Sequence, residues 1–152
     1  MTRFLTATFA LLLTASLAMG HCQVPCGIYG DQLVFEQLLQ DGQTIGKAQG
    51  QINEIALNDF DAQQINQAAR WVTTKEQHAT KVQDTITHYF LAQRIKPGDG
   101  YEKKLIAAHK VIVAAMKCKQ SADPATAKVL ETAILDLYRA YEGKEPKFET
   151  GK

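Results

Sequence analysis

Apolar residues recur every three or four positions along four stretches of the chain, which is the spacing of an amphipathic helix. The first stretch covers residues 34–55 and ends near Asn58 and Asp59, either of which is suited to cap the helix that follows. The second covers residues 65–90 and is closed by a Pro-Gly-Asp-Gly turn at residues 97–100. No stretch shows the strict alternation of apolar and polar residues that is typical of a half-buried strand.

Two further amphipathic stretches cover residues 105–119 and 127–141. Asp99 is a possible cap for the first of them. Asp123 followed by Pro124 predicts the start of the second, with the acid at the cap and the proline at the first helical position, and Gly143 predicts its end. Four helices with short connections pack as antiparallel neighbours, so the pattern predicts an all-α, up-and-down four-helix bundle over residues 30–143, followed by a polar C-terminal tail over residues 144–152.

Residues 1–20 have the features of a secretory signal peptide. Arg3 precedes an apolar run, and the segment ends in small residues at Ala18 and Gly20. A retained membrane anchor is the alternative, but hydroxyl residues interrupt the run, and it is shorter than the roughly 20 residues that a span needs. We therefore expect cleavage by signal peptidase before His21, export to the periplasm or the cell exterior, and no membrane association after processing.

Composition narrows the classes of protein that fit the chain. The 152 residues are enough for one domain, and the formal net charge of +1 argues against a nucleic-acid binder, which usually carries a basic excess. Three cysteines are too few for a disulfide scaffold but enough for one small site. Cys118 lies on the third helical stretch, where a packed thiol is expected. His88 and His109 have no partner at metal-ligand spacing and are expected to be ordinary helix residues.

The segment after the leader reads His-Cys-Gln-Val-Pro-Cys-Gly-Ile-Tyr and does not fit a helix. With the leader removed, the amine of His21, the amide nitrogen of Cys22 and the Cys22 thiolate form two adjacent five-membered chelate rings in one plane. Pro25 turns the chain so that Cys26 can supply the fourth corner. Gly27 lets the backbone pass close by, and the imidazole of the first residue can cap the plane. A planar set of two nitrogens and two sulfurs suits nickel(II) or copper(II) rather than tetrahedral zinc.

Three other interpretations of this segment stay open. In an exported protein, Cys22 and Cys26 can form a disulfide instead of binding a metal. An exported bundle can also bind nickel or copper at this terminus without catalytic turnover. The third interpretation is a helical interaction module that the disulfide stabilises.

The pattern H-C-x-x-P-C-G-x-Y at a processed N-terminus resembles the nickel hook of nickel-containing superoxide dismutases, and residues 21–29 match it without a gap. The resemblance implies a helical bundle that assembles as a homohexamer, with one nickel ion per subunit and superoxide as the substrate. Weaker similarity to this family lies in three later patches: Lys75-Glu76-Gln77, Tyr89-Phe90 and Asp123-Pro124-Ala125-Thr126.

By this resemblance, nickel is bound by the amine of His21, the amide and thiolate of Cys22 and the thiolate of Cys26. The His21 imidazole is the axial ligand of the oxidised metal. The implied reaction is the disproportionation of superoxide to O2 and H2O2, with the metal alternating between Ni(II) and Ni(III). Tyr29 is expected near the open face of the metal as a gate and hydrogen-bond donor, and Pro25 holds the turn of the hook.

The resemblance also implies partners for the axial imidazole. In the family, a glutamate on the first helix pairs with the axial histidine. Here that position is Gln37, and Glu36 lies one residue earlier, so Glu36 is the candidate. The family's arginine after Lys-Glu-Gln is His78 in this chain. The hydrogen-bond network around the axial ligand is therefore expected to differ here, while the primary ligands are unchanged.

Overall fold

Four α-helices and one π-helical segment account for most of residues 30–58 and 61–148, which are the residues that the computed structural model describes. The helices are α1 (Asp31–Ala56), α2 (Ala62–Asp84), α3 (Tyr101–Gln120) and α4 (Ala125–Glu142). The π-helical segment (Thr85–Arg94) continues α2 without a break. These described ranges contain no strand, so the prediction of an all-α fold is confirmed.

The helices pack in sequence order around one core. Helix α1 packs against α2 and α4, and α3 packs against the same two helices. Because the connections are short, consecutive helices run in opposite directions, which confirms the four-helix bundle. This topology brings the start of α1, the π-helical segment and the end of α4 together. We call this the proximal end of the bundle.

Aromatic rings fill the core at the proximal end. The ring centroid of Phe35 lies 4.8 Å from that of Phe90 and 5.0 Å from that of Tyr138. Tyr141 contributes a fourth ring, 5.5 Å from Phe90. The pairs are tilted or edge-to-face, which is the geometry that the charge distribution of aromatic rings favours. Large buried side chains therefore tie the first turns of α1 to the π-helical segment and to α4.

The helix ends follow the predicted turns, with two corrections to the caps. Asp61 rather than Asn58 caps α2, because its side chain accepts a hydrogen bond from the backbone N–H of Gln64 at 2.7 Å; the other candidate, Asp59, lies outside the described residues. Helix α3 begins after Gly100 without a side-chain cap, so the predicted role of Asp99 is wrong.

The predicted end of α4 is confirmed, and its start is one residue later than predicted, since Pro124 occupies the cap position and the helix begins at Ala125. Asp123 accepts a hydrogen bond from the backbone N–H of Ala125 at 2.9 Å, as expected for an acid at the start of α4. Gly143 ends α4 in the left-handed conformation, with φ of 69°, and its N–H donates to the carbonyl of Arg139 at 3.0 Å.

Most of the predicted apolar positions are buried, including Leu38, Ile45 and Ile134. The first half of α2 differs, because Ile65 is 57% exposed and Val72 is 42% exposed. Apolar spacing shows which side of a helix is hydrophobic, but it does not show whether another element covers that side. Ile65 and Val72 are therefore not part of the core.

The predictions for Cys118, His88 and His109 are confirmed. Cys118 is a buried free thiol, and burial raises its pKa, so it is a packed thiol. His88 and His109 are exposed on their helices. Among the described helices, none is both long enough and apolar enough to span a membrane.

Candidate functional site

The described chain begins immediately after the predicted metal segment. Gly30 is the first described residue, and α1 starts at Asp31. The proposed ligands and hook residues therefore lie outside the described residues and remain predictions: His21, Cys22, Pro25, Cys26, Gly27 and Tyr29. Glu36 and His78 lie within the described chain. The structure consequently shows the base from which the metal segment extends and the two candidate partners of its axial ligand.

Gly30 forms the junction between the metal segment and α1. Its backbone has φ of 75° and ψ of 149°, a combination that strains any residue with a Cβ atom. No side chain caps the first turn of α1 at this position. A glycine is therefore required here by backbone conformation.

Asp31, the first residue of α1, accepts hydrogen bonds from three side chains. Tyr89 donates to Oδ1 at 2.6 Å, Tyr141 donates to Oδ2 at 2.7 Å, and Arg94 donates to Oδ2 at 2.6 Å. Only 8% of the Asp31 side chain is exposed. We refer to Asp31, Tyr89, Arg94 and Tyr141 as the Asp31 cluster. It joins the start of α1 to the π-helical segment and the end of α4.

Charge in the Asp31 cluster is set by burial and hydrogen bonding. Burial alone raises the pKa of the Asp31 carboxyl, but the bonds from Arg94 and the two tyrosines outweigh it and lower that pKa. Burial and the bond to Asp31 raise the pKa of Tyr89 and of Tyr141 to about 12. The bond to Asp31 also raises the pKa of Arg94. At neutral pH the cluster is therefore an ionised pair with two neutral phenols.

The π-helical geometry allows two of these donors to reach one carboxylate. Tyr89 and Arg94 are five residues apart, and in an α-helix they would lie on different sides. In a π-helix, residues five apart stack, as the 2.8 Å hydrogen bond from Ile95 N–H to the Phe90 carbonyl shows. This register points Phe90 into the core while Tyr89 and Arg94 both contact Asp31.

Glu36, the predicted partner of the axial imidazole, is half-buried on α1. It accepts a hydrogen bond from Gln32 Nε2 at 2.9 Å, one turn earlier on the same helix. The Gln32 carbonyl oxygen in turn accepts from the Tyr138 hydroxyl at 3.1 Å. One carboxylate oxygen of Glu36 is thus held by a chain of two neutral groups, the Gln32 amide and the Tyr138 hydroxyl. Gln37, the other candidate position, is exposed.

His78, on α2, pairs with a carboxylate that the sequence analysis did not single out. Its Nδ1 lies 2.7 Å from Oδ1 of Asp41, and Lys81 Nζ lies 3.1 Å from the same oxygen. Asp41 is 3% exposed, whereas a third of the His78 side chain is accessible. Because Lys81 donates to this oxygen, the oxygen is an acceptor and Nδ1 of His78 is the donor, which leaves Nε2 for another partner.

The structure does not join the two predicted partners to each other. Among the described residues, the hydrogen bonds of Glu36 and His78 lead to Gln32 and Asp41 respectively. The sequence did carry a signal for Asp41, since this acid interrupts the apolar face of α1 between Leu38 and Ile45, where a buried charge needs a partner.

The later patches of family similarity have structural roles here. Lys75 is 5% exposed and donates to the carbonyl oxygens of Cys118, at 3.0 Å, and Lys119, which are otherwise free at the end of α3. Thr126 accepts a hydrogen bond from the buried Gln49 at 2.7 Å. These contacts fix α3 and α4 against the first two helices and do not form a second site.

Within the described residues, no group of three or more His, Cys, Asp or Glu side chains could hold a metal ion. Residues 21–26, by contrast, carry two cysteine thiols together with nitrogen groups, and sulfur and nitrogen donors of this kind suit nickel. The model of one protein family, nickel-containing superoxide dismutase, matches residues 16–145. No curated protein and no solved structure gives a significant match to the chain.

Proposed function

The chain belongs to the nickel-containing superoxide dismutase family, and from this premise we propose that it disproportionates superoxide at a nickel site built by residues 21–26. It is an oxidoreductase, and nickel is its cofactor. The observation that carries the proposal is the family match over residues 16–145, which includes the metal segment and all four helices. The net reaction consumes two superoxide anions and two protons and yields one O2 and one H2O2.

We propose a ligand set drawn from the first residues of the mature chain. The amine of His21, the amide nitrogen and thiolate of Cys22 and the thiolate of Cys26 would hold one nickel ion per subunit. The imidazole of His21 would supply a further ligand to the metal. When bound, nickel supplies one-electron redox chemistry between Ni(II) and Ni(III), which thiolate and amide donors bring into reach.

The protein's own groups shape the approach and the orientation of the ligands. Pro25 and Gly27 would set the turn that brings the two thiolates together, and Tyr29 would donate a hydrogen bond at the open face. Glu36 and His78 are proposed to orient the axial imidazole, as outer partners commonly do for a ligating histidine. Each has one hydrogen-bonding atom held, by Gln32 and Asp41 respectively.

Processing and assembly complete the proposal. The α-amino group of His21 becomes a ligand only if the leader is removed before it, so the mature protein would be exported, to the periplasm or the cell exterior. A homohexamer is proposed from the family resemblance. Superoxide is the small-molecule partner, and neither nucleic acid nor membrane is expected to bind the processed chain.

The test uses intact mass, nickel content and superoxide decay on one sample purified from cells grown with nickel. We expect a chain that begins at His21, about one nickel per subunit, and superoxide removal above free-metal controls. Adding one residue before His21 should abolish activity, because the amine then becomes an amide. As a control, Cys118→Ala removes a buried thiol near the end of α3, at the end of the bundle opposite Asp31, and should keep both nickel and activity.

Three results would overturn the proposal. Full activity in the chain with an added residue would show that the α-amino group is not a ligand. Nickel bound without superoxide removal would favour the alternative, an exported metal-binding bundle without turnover. A chain that lacks nickel and has lost two thiol hydrogens would instead indicate a disulfide between Cys22 and Cys26.

A further inference from the structure

Only one residue, Gly30, separates the predicted metal segment from the first residue of α1. Consecutive Cα atoms are about 3.8 Å apart, so the Cα of Tyr29 lies within roughly 7.6 Å of that of Asp31. The contacts that hold Asp31 in place therefore also determine where the predicted metal segment joins the bundle. The positive φ of Gly30 narrows the directions that the chain can take from there.

Asp31 is fixed from outside its own helix. Its three donors lie 58, 63 and 110 residues away in sequence, on the π-helical segment and α4. Both carboxylate oxygens are occupied, and the ion pair with Arg94 is largely shielded from solvent on the Asp31 side. An ordinary acid in the first turn of a helix interacts with that helix's own N–H groups. In this protein, the Asp31 carboxylate instead connects α1 to the π-helical segment and to α4.

The Asp31 cluster also retains one unsatisfied donor. The Nε atom of Arg94 is buried and has no hydrogen-bond partner among the described residues. Leaving such a donor unpaired is unfavourable, so a carbonyl or another acceptor is expected to reach it.

We propose that the Asp31 cluster is a positioning device for the metal segment: it anchors the exit point of residues 21–29 at the proximal end of the bundle. The assignment of residues 21–29 as the metal segment rests on the proposed function. Asp31, Tyr89, Arg94 and Tyr141 are positioning residues, because they act on the ligands through the backbone at residues 29–31. A purely structural role, in which the cluster only stabilises the bundle, is the competing explanation.

The experiment compares cluster variants with matched controls in the processed protein. Asp31→Asn keeps the shape of the side chain but removes its charge, and Tyr141→Phe removes one hydroxyl. The controls are Asp136→Asn, an exposed aspartate on α4, and Tyr101→Phe, a half-buried tyrosine at the start of α3. Each variant is measured by nickel release to a chelator, by the electron paramagnetic resonance spectrum of the oxidised nickel, by hydrogen exchange over residues 21–30 and by thermal unfolding.

We expect nickel release to be about tenfold faster in Asp31→Asn, because hydrogen bonds to a charged group are among the stronger ones. Tyr141→Phe should show a smaller increase. The nickel spectrum should change, hydrogen exchange over residues 21–30 should accelerate, and both controls should match the wild type. If Asp31→Asn does not fold, Tyr141→Phe and Arg94→Lys test the same anchor with milder changes.

The proposal is overturned if the cluster variants lower the melting temperature while nickel release, the spectrum and local exchange all stay at wild-type values. Failure of the proposed function gives a different result, namely a wild-type protein that binds no nickel. In that case, hydrogen exchange over residues 21–30 in the metal-free protein decides the anchoring role. Faster exchange in Asp31→Asn than in Asp136→Asn supports it, and equal exchange overturns it.

Discussion

The Nδ1 atom of His78 lies 2.7 Å from a carboxylate oxygen of the buried Asp41. The pair crosses from α2 to α1 and fixes both the ring orientation and the hydrogen position of the imidazole. Lys81 donates to the same oxygen, so two cationic or potentially cationic side chains share one buried acid. The orientation of His78 therefore depends on Asp41.

Asp41→Asn should destabilise the bundle by about 1–3 kcal/mol, because the amide replaces one acceptor oxygen with a donor nitrogen and removes the charge facing His78 and Lys81. The free energy of unfolding in urea measures the change. Asp136→Asn is the control: this aspartate is exposed and pairs only with Arg139 among the described residues, so its loss should cost at most about 1 kcal/mol. Equal losses in the two variants would contradict a special role for Asp41.

The free energy of unfolding should decrease at acidic pH, because the Asp31 carboxylate becomes protonated. The pKa of Asp31 is lower in the folded protein than its ordinary value of 3.8, so its contribution is fully present above that value and is lost as pH falls through the folded pKa. Asp31→Asn should therefore be less stable than the wild type at neutral pH, and the difference should shrink at acidic pH. Urea unfolding at a series of pH values measures it. A difference that stays constant with pH would contradict the assignment.

Tyr89 and Tyr141 should lose their phenolic protons at a higher pH than ordinary tyrosines do. Their pKa of about 12 in the folded protein exceeds the ordinary 10.0, so the stability they contribute is present below pH 10.0 and is lost as pH rises through about 12. In Asp31→Asn, both should titrate at lower pH, since the neighbouring charge is gone while burial remains. Ultraviolet absorbance of tyrosinate follows the titration, and Tyr89→Phe and Tyr141→Phe assign its components. An unchanged titration in Asp31→Asn would contradict this.

Alanine substitutions at two glycines of the first helix region should have opposite effects. Gly30→Ala forces a Cβ onto a residue with φ of 75° and should cost about 1–3 kcal/mol. Gly50→Ala, within α1, should stabilise by about 0.5–1 kcal/mol. Within the described part of the chain, a Cβ at either position meets no atom of another segment within 4 Å, so the contrast reports backbone conformation and not crowding. Thermal unfolding measures both, and a gain in stability at Gly30 would contradict the prediction.

The bundle could be predicted from local patterns because its core repeats with helical spacing. Leu38, Ile45, Leu130 and Ile134 are all buried as that spacing indicates. The π-helical segment could not be predicted in this way. Its residues read as a continuation of an ordinary helix, and the extra residue per turn becomes favourable only through contacts with α1 and α4.

The Asp31 cluster could not be predicted from the sequence for a related reason. An acid at the start of a helix is common, and nothing in its neighbourhood indicates partners as distant as Tyr141. The predicted metal ligands present the opposite case, because the sequence indicates them clearly but the structure does not describe them. Their residue types and spacing made a strong local pattern, but residues 21–29 lie outside the described chain, so their roles stay predictions.

The long sequence separation between Asp31 and Tyr141 has a consequence for the order of folding. Contacts between residues 110 positions apart form only after a large loop is closed, and they are completed late compared with turns inside a helix. During synthesis, the beginning of α1 emerges well before α4, which supplies the Tyr141 hydroxyl to Asp31. The first turn of α1 can therefore make its native contacts only after α4 has been made and has packed into the bundle.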